Sequence, residues 1–406
     1  MTLLKTALKN LKKNLVMNII CLIQLTAVFL ITAVMVSTMC IRYTTYAPLK
    51  SFLESKGFYS IYNDMFFGAI KPGGDFNKDA VFSFDELNEY MNADKAVIIR
   101  NNPMLYNGET ASTLFYDREI VERYTPALKR GRWLSPDADE LEVVITDGLY
   151  GLDVGDEVKA EIYQYHQSAY PVKVRVVGVL EDTSKILYDF HNENGEDSYR
   201  CLYRTRNDIQ MPVVLASTDA MHRLYPQAYE LYIHSVFFMY DDDITDEELK
   251  REMSTAGQMN ARIMLSLDNI NRHSLEYLKN ELLKLLPIAV ILLMLVIISS
   301  ISVSAIAARR RLRDYAKYYV LGLRWRQCAL VNFFQALVTG VAALAIACAG
   351  LIAVGAAGLS DMFMIIWNVQ LFMSLLGVLV MYLAFSMIMP MLMLRSTTPK
   401  ALLQAE

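Results

Sequence analysis

Five histidines, at positions 166, 191, 222, 234 and 273, are the first side chains to weigh for chemistry, because imidazole serves both as metal ligand and as general base. None stands at metal-ligand spacing from another, so each is read as a surface or satisfied structural side chain. Asp241-Asp242-Asp243 offers a cation three carboxylates. It also lies just ahead of a helix signal at Thr245, where acids suit the positive end of the helix dipole, and it is read as a solvated turn. A nucleotide hydrolase needs a phosphate cradle, yet no Gly-x-x-x-x-Gly-Lys-Ser/Thr occurs and no glycine is followed by lysine anywhere. The Gly-x-Ser-x-Gly turn that exposes a catalytic serine is absent as well. Of the five cysteines, Cys21, Cys40, Cys328 and Cys348 fall within or beside apolar runs and read as small buried hydrophobes. Cys201 stands alone in the middle of the chain and has no partner there for a disulfide. No catalytic, cofactor-binding or metal-binding residue is assigned in this chain.

Two segments carry more information. Residues 1–14 contain Leu4, Leu8 and Leu11 on one helical face, with Lys5, Lys9 and Lys12 on the remainder. That pattern suits a helix lying in a membrane interface. The second segment is 309–326, with Arg309, Arg310, Arg311, Arg313 and Asp314 followed by Tyr315, Tyr318, Tyr319, Leu321 and Gly322. Its positive charge is explained by membrane topology, but its tyrosines and leucine ask for a partner surface. The segment reads as a helix that stops at Gly322.

The elements that hold these segments follow from composition. The chain has 406 residues, of which 54% are hydrophobic and 20% charged, and its mean hydropathy is +0.25. Soluble chains are nearer about 45–50% apolar and about 25% charged, so disorder and a purely soluble fold are excluded. Four runs carry no Asp, Glu, Lys or Arg: Leu15–Ile41, Leu285–Ala308, Gln327–Ser360 and Met362–Leu394. About 20 apolar residues cross a bilayer core of roughly 30 Å, so each run supplies one crossing. The expected spans are 15–41, 285–308, 327–354 and 367–394, with a short loop at 355–366 and a tail at 395–406. The first run exceeds the roughly 7–15 residues of a cleaved signal peptide's apolar region and is read as a permanent span.

Orientation comes from Lys and Arg in the short flanks. Lys5, Lys9, Lys12 and Lys13 precede the first span, seven basic residues lie between the second and third, and Arg395 and Lys400 follow the fourth. Both termini and the 309–326 segment are therefore expected in the cytoplasm of a multi-pass plasma-membrane protein, with 42–284 outside. That outer segment carries 26 basic and 40 acidic residues, a formal charge of −14. It should stay soluble and repel nucleic acid.

Strand signals dominate the outer segment at Leu141–Thr146, Val158–Tyr163, Val172–Leu180, Val213–Ala216 and Leu231–Tyr240. Capping-box spacing at Ser83–Glu86 and Thr245–Glu248 announces helices over Leu87–Met91 and Leu249–Met253. Residues 182–210 are polar and irregular and read as a long exposed loop or insertion. From Asn269 to Lys284 the period turns helical, with Leu275, Leu278, Leu282 and Leu285 on one face. A stalk helix over 269–284 is expected to run into the second span, and Pro287 to kink it mildly or mark a helix start. The fold class is therefore an α-helical membrane protein with four transmembrane helices, one plus three, and a large α+β extracytoplasmic domain at 42–268 between the first and second.

Taken in order, several motifs resemble one known family. They are the basic N-terminal helix running into a long span, and the outer stretch Gly131-Arg-Trp133, Glu142–Thr146, Gly151–Asp156 and Val174–Leu180. The basic 309–326 segment with its Leu321-Gly322 and the ending Pro399-Lys-Ala-Leu402 complete the set. Together they resemble the FtsX-like permeases of MacB-type ABC transporters, the mechanotransmission or type VII class. The family commonly has Glu-Ile/Phe-Gly before its Leu-Gly, where this chain has Asp314-Tyr-Ala. A Glu frequent near the third span is matched most nearly by Gln335.

The resemblance implies a non-enzymatic subunit that pairs with a second permease, identical or paralogous, and with two separate ATPase chains that hold the ATP and Mg. The 309–326 segment and the N-terminal helix would contact those ATPases. Membrane lipids and an extracytoplasmic protein or peptide are the remaining partner classes. The expected function is export or extraction of amphipathic compounds: an antimicrobial peptide, an antibiotic or a lipid-linked molecule. The alternative is a non-transporting signalling subunit that regulates an outer partner such as a cell-wall hydrolase. The spans carry no charged residue, which fits the absence of a polar-solute path.

Overall fold

The computed structural model describes residues 15–62, 91–164, 167–181, 184–188, 197–205, 209, 212–227, 232–258, 261–320, 325–356 and 365–396. The chain divides into two compact units, Met1–Tyr43 with Lys279–Glu406, and Thr44–Leu278.

Four long helices make up the described part of the first unit: α1 (Leu15–Tyr46), α6 (Leu267–Val320, entering from the other unit), α7 (Trp325–Ala356) and α8 (Val369–Ser396). Each contains a stretch long and apolar enough to cross a membrane. In hydrocarbon every backbone N–H and C=O must be satisfied within the segment, which selects helix for runs of this composition. Pro287 sits inside α6, twenty residues after its start, so it does not mark a helix start. A proline is tolerated in such a helix because neighbours and local adjustments re-satisfy the freed carbonyl.

The helices meet through small residues. Ala336, Gly340, Ala343 and Ala347 recur at helical spacing along α7, and the three alanines are buried against Leu375, Leu379 and Tyr382 of α8 and Phe29 and Ala33 of α1. A Cβ built on Gly340 would lie 2.6 Å from Leu379 Cδ1, so the backbone approach there needs glycine. Uncharged polar side chains also link the helices. Gln335 Nε2 donates to Asn18 Oδ1 at 3.2 Å, Ser299 Oγ donates to Gln24 Oε1 at 2.8 Å, and Cys21 Sγ lies 3.6 Å from Tyr382 Oη.

The second unit is an α+β domain inserted between the first and second of the four apolar helices. Its strands are β1 (Lys56–Tyr62), β2 (Lys95–Tyr106), β3 (Glu109–Tyr116), β4 (Leu128–Gly131), β5 (Leu141–Thr146), β6 (Glu157–Gln164), β7 (Gln167–Leu180), β8 (Ile186–Leu187), β9 (Tyr203–Arg204), β10 (Val213–Ser217), β11 (Ile233–Tyr240) and β12 (Ala261–Ser266). Its helices are α2 (Lys50–Leu53), α3 (Arg118–Arg123), α4 (Thr218–Leu224) and α5 (Asp246–Gln258), before α6.

The pairings β2-β3, β3-β10, β10-β5, β5-β7, β7-β6 and β6-β2 close a ring of six strands. Alternation fills its interior: Leu141, Val143 and Ile145 of β5, Val158, Ala160 and Ile162 of β6, and Val172, Val174 and Val176 of β7 pack into one core. The residues between them face the other way. Val144, Val213 and Leu215 join a second core with Tyr59, Tyr116, Tyr124, Tyr199 and Tyr203. The N-terminal part of β2 instead pairs with β11, which continues the sheet through β1 to β12. The β2–β3 hairpin turns on Asn107 (φ +52°) and Gly108 (φ +89°), the pair that a two-residue turn with positive φ at both positions demands.

The described parts of residues 182–210, at 184–188, 197–205 and 209, are not the exposed loop that the polarity of the stretch suggests. They contain β8, a 3₁₀ turn at Tyr199–Leu202 and β9, and they bury Ile186, Leu187, Tyr199, Leu202 and Tyr203 in the second core. These side chains are buried because taking each large apolar group out of water is worth about 1.5–3 kcal/mol. The helix expected at Leu87–Met91 lies outside the described residues except for Met91, which is buried against Phe58 and Phe238. The Thr245 capping box forms: Thr245 N and Oγ1 donate to Glu248 Oε2 at 2.9 and 2.7 Å, and Glu248 N donates back to Thr245 Oγ1 at 3.3 Å.

Candidate functional site

Of the residues expected to meet a partner, Arg309, Arg310, Arg311, Arg313, Asp314, Tyr315, Tyr318 and Tyr319 all lie on α6. Arg309 is exposed. Leu321 and Gly322 lie outside the described residues, as do Leu4, Lys5, Leu8, Lys9, Leu11 and Lys12. The basic segment is therefore the far end of the same 54-residue helix whose first turn belongs to the inserted domain.

The start of α6 is gripped by the domain. Leu267 and Ile270 are fully buried. Ser274 Oγ donates to Ile270 O at 2.5 Å and accepts Tyr199 N at 2.8 Å. The Arg200 guanidinium lies 4.8 Å from the Tyr277 ring centroid, and the Tyr199 ring 6.1 Å from the same ring. Positions 267, 270, 274 and 277 recur every three to four residues, so they form the held face. Leu275 and Leu282, on the face that the leucine pattern suggested, are 49% and 52% exposed.

The end of α1 is held by the same turn. Tyr46 Oη donates to Asn271 Oδ1 at 2.7 Å, the Tyr46 ring lies 5.6 Å from Tyr199, and Tyr203 Oη donates to Thr45 O at 3.0 Å. Burial pushes the Tyr203 phenol well above its ordinary value. Within the helical unit a second tie joins the same two helices: Arg42 of α1 pairs with Glu281 of α6, and Lys284 pairs with Glu281 at 2.7 Å. The residues Tyr199–Tyr203 thus form a collar on both helices. Sequence reasoning missed it; the signal was a cluster of Tyr, Cys, Leu and Tyr at the end of a polar stretch.

The motif residues of the outer stretch have structural duties. Gly131, at φ +83°, brings its backbone so close to Val177 O that a Cβ would sit 2.2 Å away. Arg132 forks onto buried Glu142, which also accepts Ser135 N at 2.9 Å, and Trp133 Nε1 donates to Val121 O at 2.9 Å. The Glu142 pairing raises the Arg132 guanidinium above its ordinary value. Asp241, Asp242 and Asp243 are exposed on the turn before α5, where Asp241 N donates to Asp94 Oδ2 at 2.6 Å and Lys56 Nζ reaches Asp242 O. Among the described residues, no group of three His, Cys, Asp or Glu is gathered for a metal. Among the described residues, Cys21, Cys40, Cys201 and Cys348 form no disulfide.

No family model matches this chain, and no curated protein matches it. Solved structures do. The chain is similar to the periplasmic region of MacB from Actinobacillus actinomycetemcomitans, with 11% identity over 55% of this chain and 94% of that one, at a TM-score of 0.28. It is similar to the extracellular domain of the noncanonic ABC-type transporter YknZ from Gram-positive bacteria, with 10% identity over 52% and 98% and a TM-score of 0.26. A domain of a putative permease protein from Porphyromonas gingivalis gives 10% identity over 52% and 86%, with a TM-score of 0.23. Function does not transfer at such levels, because it resides in sites grafted onto folds.

Proposed function

We propose that this chain is the permease subunit of an ABC transporter of the FtsX-like, MacB-type class. Its spans lie in the plasma membrane, both termini are in the cytoplasm, and the inserted domain stands outside. ATP and Mg are bound by two separate ATPase chains, which grip the 309–326 segment and the N-terminal helix. A second permease, identical or paralogous, completes the assembly.

The observation that carries this reading is the continuity of α6. One helix begins in the core of the inserted domain, passes through an apolar stretch and ends at the arginine and tyrosine cluster. The collar and the Arg42–Glu281 pair tie α1 to it. Rigid elements transmit displacement where loops absorb it, so nucleotide-driven motion at residues 309–320 would reach residues 267–278. The work done outside is export or extraction of an amphipathic compound, supported by spans without charged residues.

The test is co-purification with the ATPase, followed by ATP turnover in nanodiscs. Tyr318→Ala is expected to weaken ATPase capture. Arg310→Glu with Arg311→Glu is expected to do the same, provided that cysteine labelling shows unchanged topology. Insertion of four glycines after Lys284 is expected to leave capture intact while abolishing the effect of outer-domain ligands on ATP turnover. Full capture by Tyr318→Ala would remove the contact assignment. ATPase coupling without any transported compound would place the chain in the signalling class, acting on an outer partner such as a cell-wall hydrolase.

A further inference from the structure

A cavity of about 180 Å³ opens among α1, α6 and α8, lined by Val28, Thr32 and Met35 of α1, Ala289 and Leu292 of α6, and Met381 of α8. Thr32 is the one polar residue in its lining, and no charged group enters it. Its depth follows from the charges that flank it. Ala289 is five residues past Lys284, and Met35 is seven residues before Arg42, so the cavity starts roughly 7–10 Å inside the last charged side chains at about 1.5 Å per residue. It therefore lies within the apolar stretches, in the half of the bundle where α1 and α6 connect to the inserted domain.

The other half is built differently. There Asn18–Gln335, Gln24–Ser299 and Cys21–Tyr382 link the helices, and Ser300, Ser304 and Ser386 are buried among them. The bundle is thus closed by hydrogen bonds at one end and left with a greasy gap at the other.

Water does not settle in such a gap, because a buried water needs two to four polar partners and the lining offers one hydroxyl. An engineered apolar cavity of about 150 Å³ stays dry and takes up benzene or xenon. An empty gap would cost its lining the dispersion contacts of a packed interior. The medium at the mouth is lipid hydrocarbon. We propose that this cavity is a binding site for one acyl chain of a bilayer phospholipid, seated between the two helices that enter the inserted domain. The site is independent of any ATPase, and a tail wedged there sets the spacing of α1 and α6.

The test uses the full chain in nanodiscs that contain a phosphatidylglycerol with a diazirine at mid-chain. Photolysis is followed by mapping of the labelled residues. Labelling at Thr32 and Leu292 is expected to exceed, several-fold, that at Met373, which faces outward from α8 at 62% exposure. Thr32→Phe with Ala289→Phe is expected to abolish the excess, and Met373→Phe to leave it unchanged. Should the double phenylalanine variant fail to fold, Thr32→Leu with Ala289→Val is expected to reduce the excess by part. Labelling at Thr32 no greater than at Met373 would overturn the proposal, as would an excess that survives filling. A disulfide formed between two copies of Thr32→Cys would overturn it too, by giving the gap to a second copy of the chain.

Discussion

Single side chains decide how the inserted domain is pinned together. Arg100 is buried on β2 and pairs with Asp117 Oδ1 at 2.5 Å, while Asp117 Oδ2 accepts Ile98 N at 2.8 Å and Arg100 reaches Thr218 Oγ1 at 3.3 Å. One ion pair thus joins β2, the start of α3 and, through Arg100, the start of α4. Removing it leaves a buried guanidinium without its counter-charge, the case in which breaking an ion pair is most costly. Asp117→Ala is expected to lower stability by about 3 kcal/mol, read as a shift of the denaturant midpoint. A loss under half of that would mean that water reaches Arg100. These residues were not singled out in the sequence, because an arginine and an aspartate 17 positions apart carry no local signal. Glu142, by contrast, stood inside a quoted motif, and only the fold revealed that it serves Arg132.

Elements show where local pattern suffices and where it fails. The alternation of β5, β6 and β7 was readable, as was the capping box ahead of α5, because period and capping are local properties. Closure of six strands into a ring was not, since β2 and β6 meet across 57 intervening positions at Met104 and Ile162. The collar at Tyr199–Tyr203 was hidden for the same reason: its partners Tyr46 and Ser274 are distant in sequence. Helix packing follows the same rule. Gly340→Leu is expected to push α7 from α8 and cost roughly 1–3 kcal/mol, seen as lower thermal stability in detergent. Gly377 has open space where a Cβ would stand, so Gly377→Leu is the matched control and should be neutral. Equal behaviour of the two would refute the close approach at Gly340.

At the scale of the whole molecule, the tyrosine-rich cores set an alkaline limit. Burial moves the Tyr62 phenol up to about 12, and Tyr116, Tyr124 and Tyr203 are pushed well above 10. A raised phenol pKa favours the neutral form in the folded state. Its contribution is complete below the unfolded value of 10 and is lost as pH climbs through the folded value. Each such phenol therefore takes on the order of 1.4 kcal/mol per pH unit from stability between pH 10 and 12. Unfolding is expected to coincide with the last part of the rise in phenolate absorbance, which comes from the buried tyrosines; completion of that rise well before unfolding would contradict it. Orientation is tested at the same scale. Val154 is exposed on the inserted domain, and Val154→Cys should react with an impermeant maleimide from outside intact cells. Reaction only after lysis would reverse the topology and remove the permease reading.

The sequence by itself determined the number of apolar crossings, the insertion of a large α+β domain after the first, and several of the strands and one capping box within it. Each of these is written in runs, periods and adjacent pairs, and burial of apolar surface enforces them without reference to distant residues. Only the tertiary structure decided that β2 and β6 close a ring, that residues 199–203 clasp two helix ends, and that the bundle is hydrogen-bonded at one end and hollow at the other. Those features depend on pairs far apart in the chain. Their energies exist only once the backbone has brought both members within a few ångströms, so no window of sequence contains them.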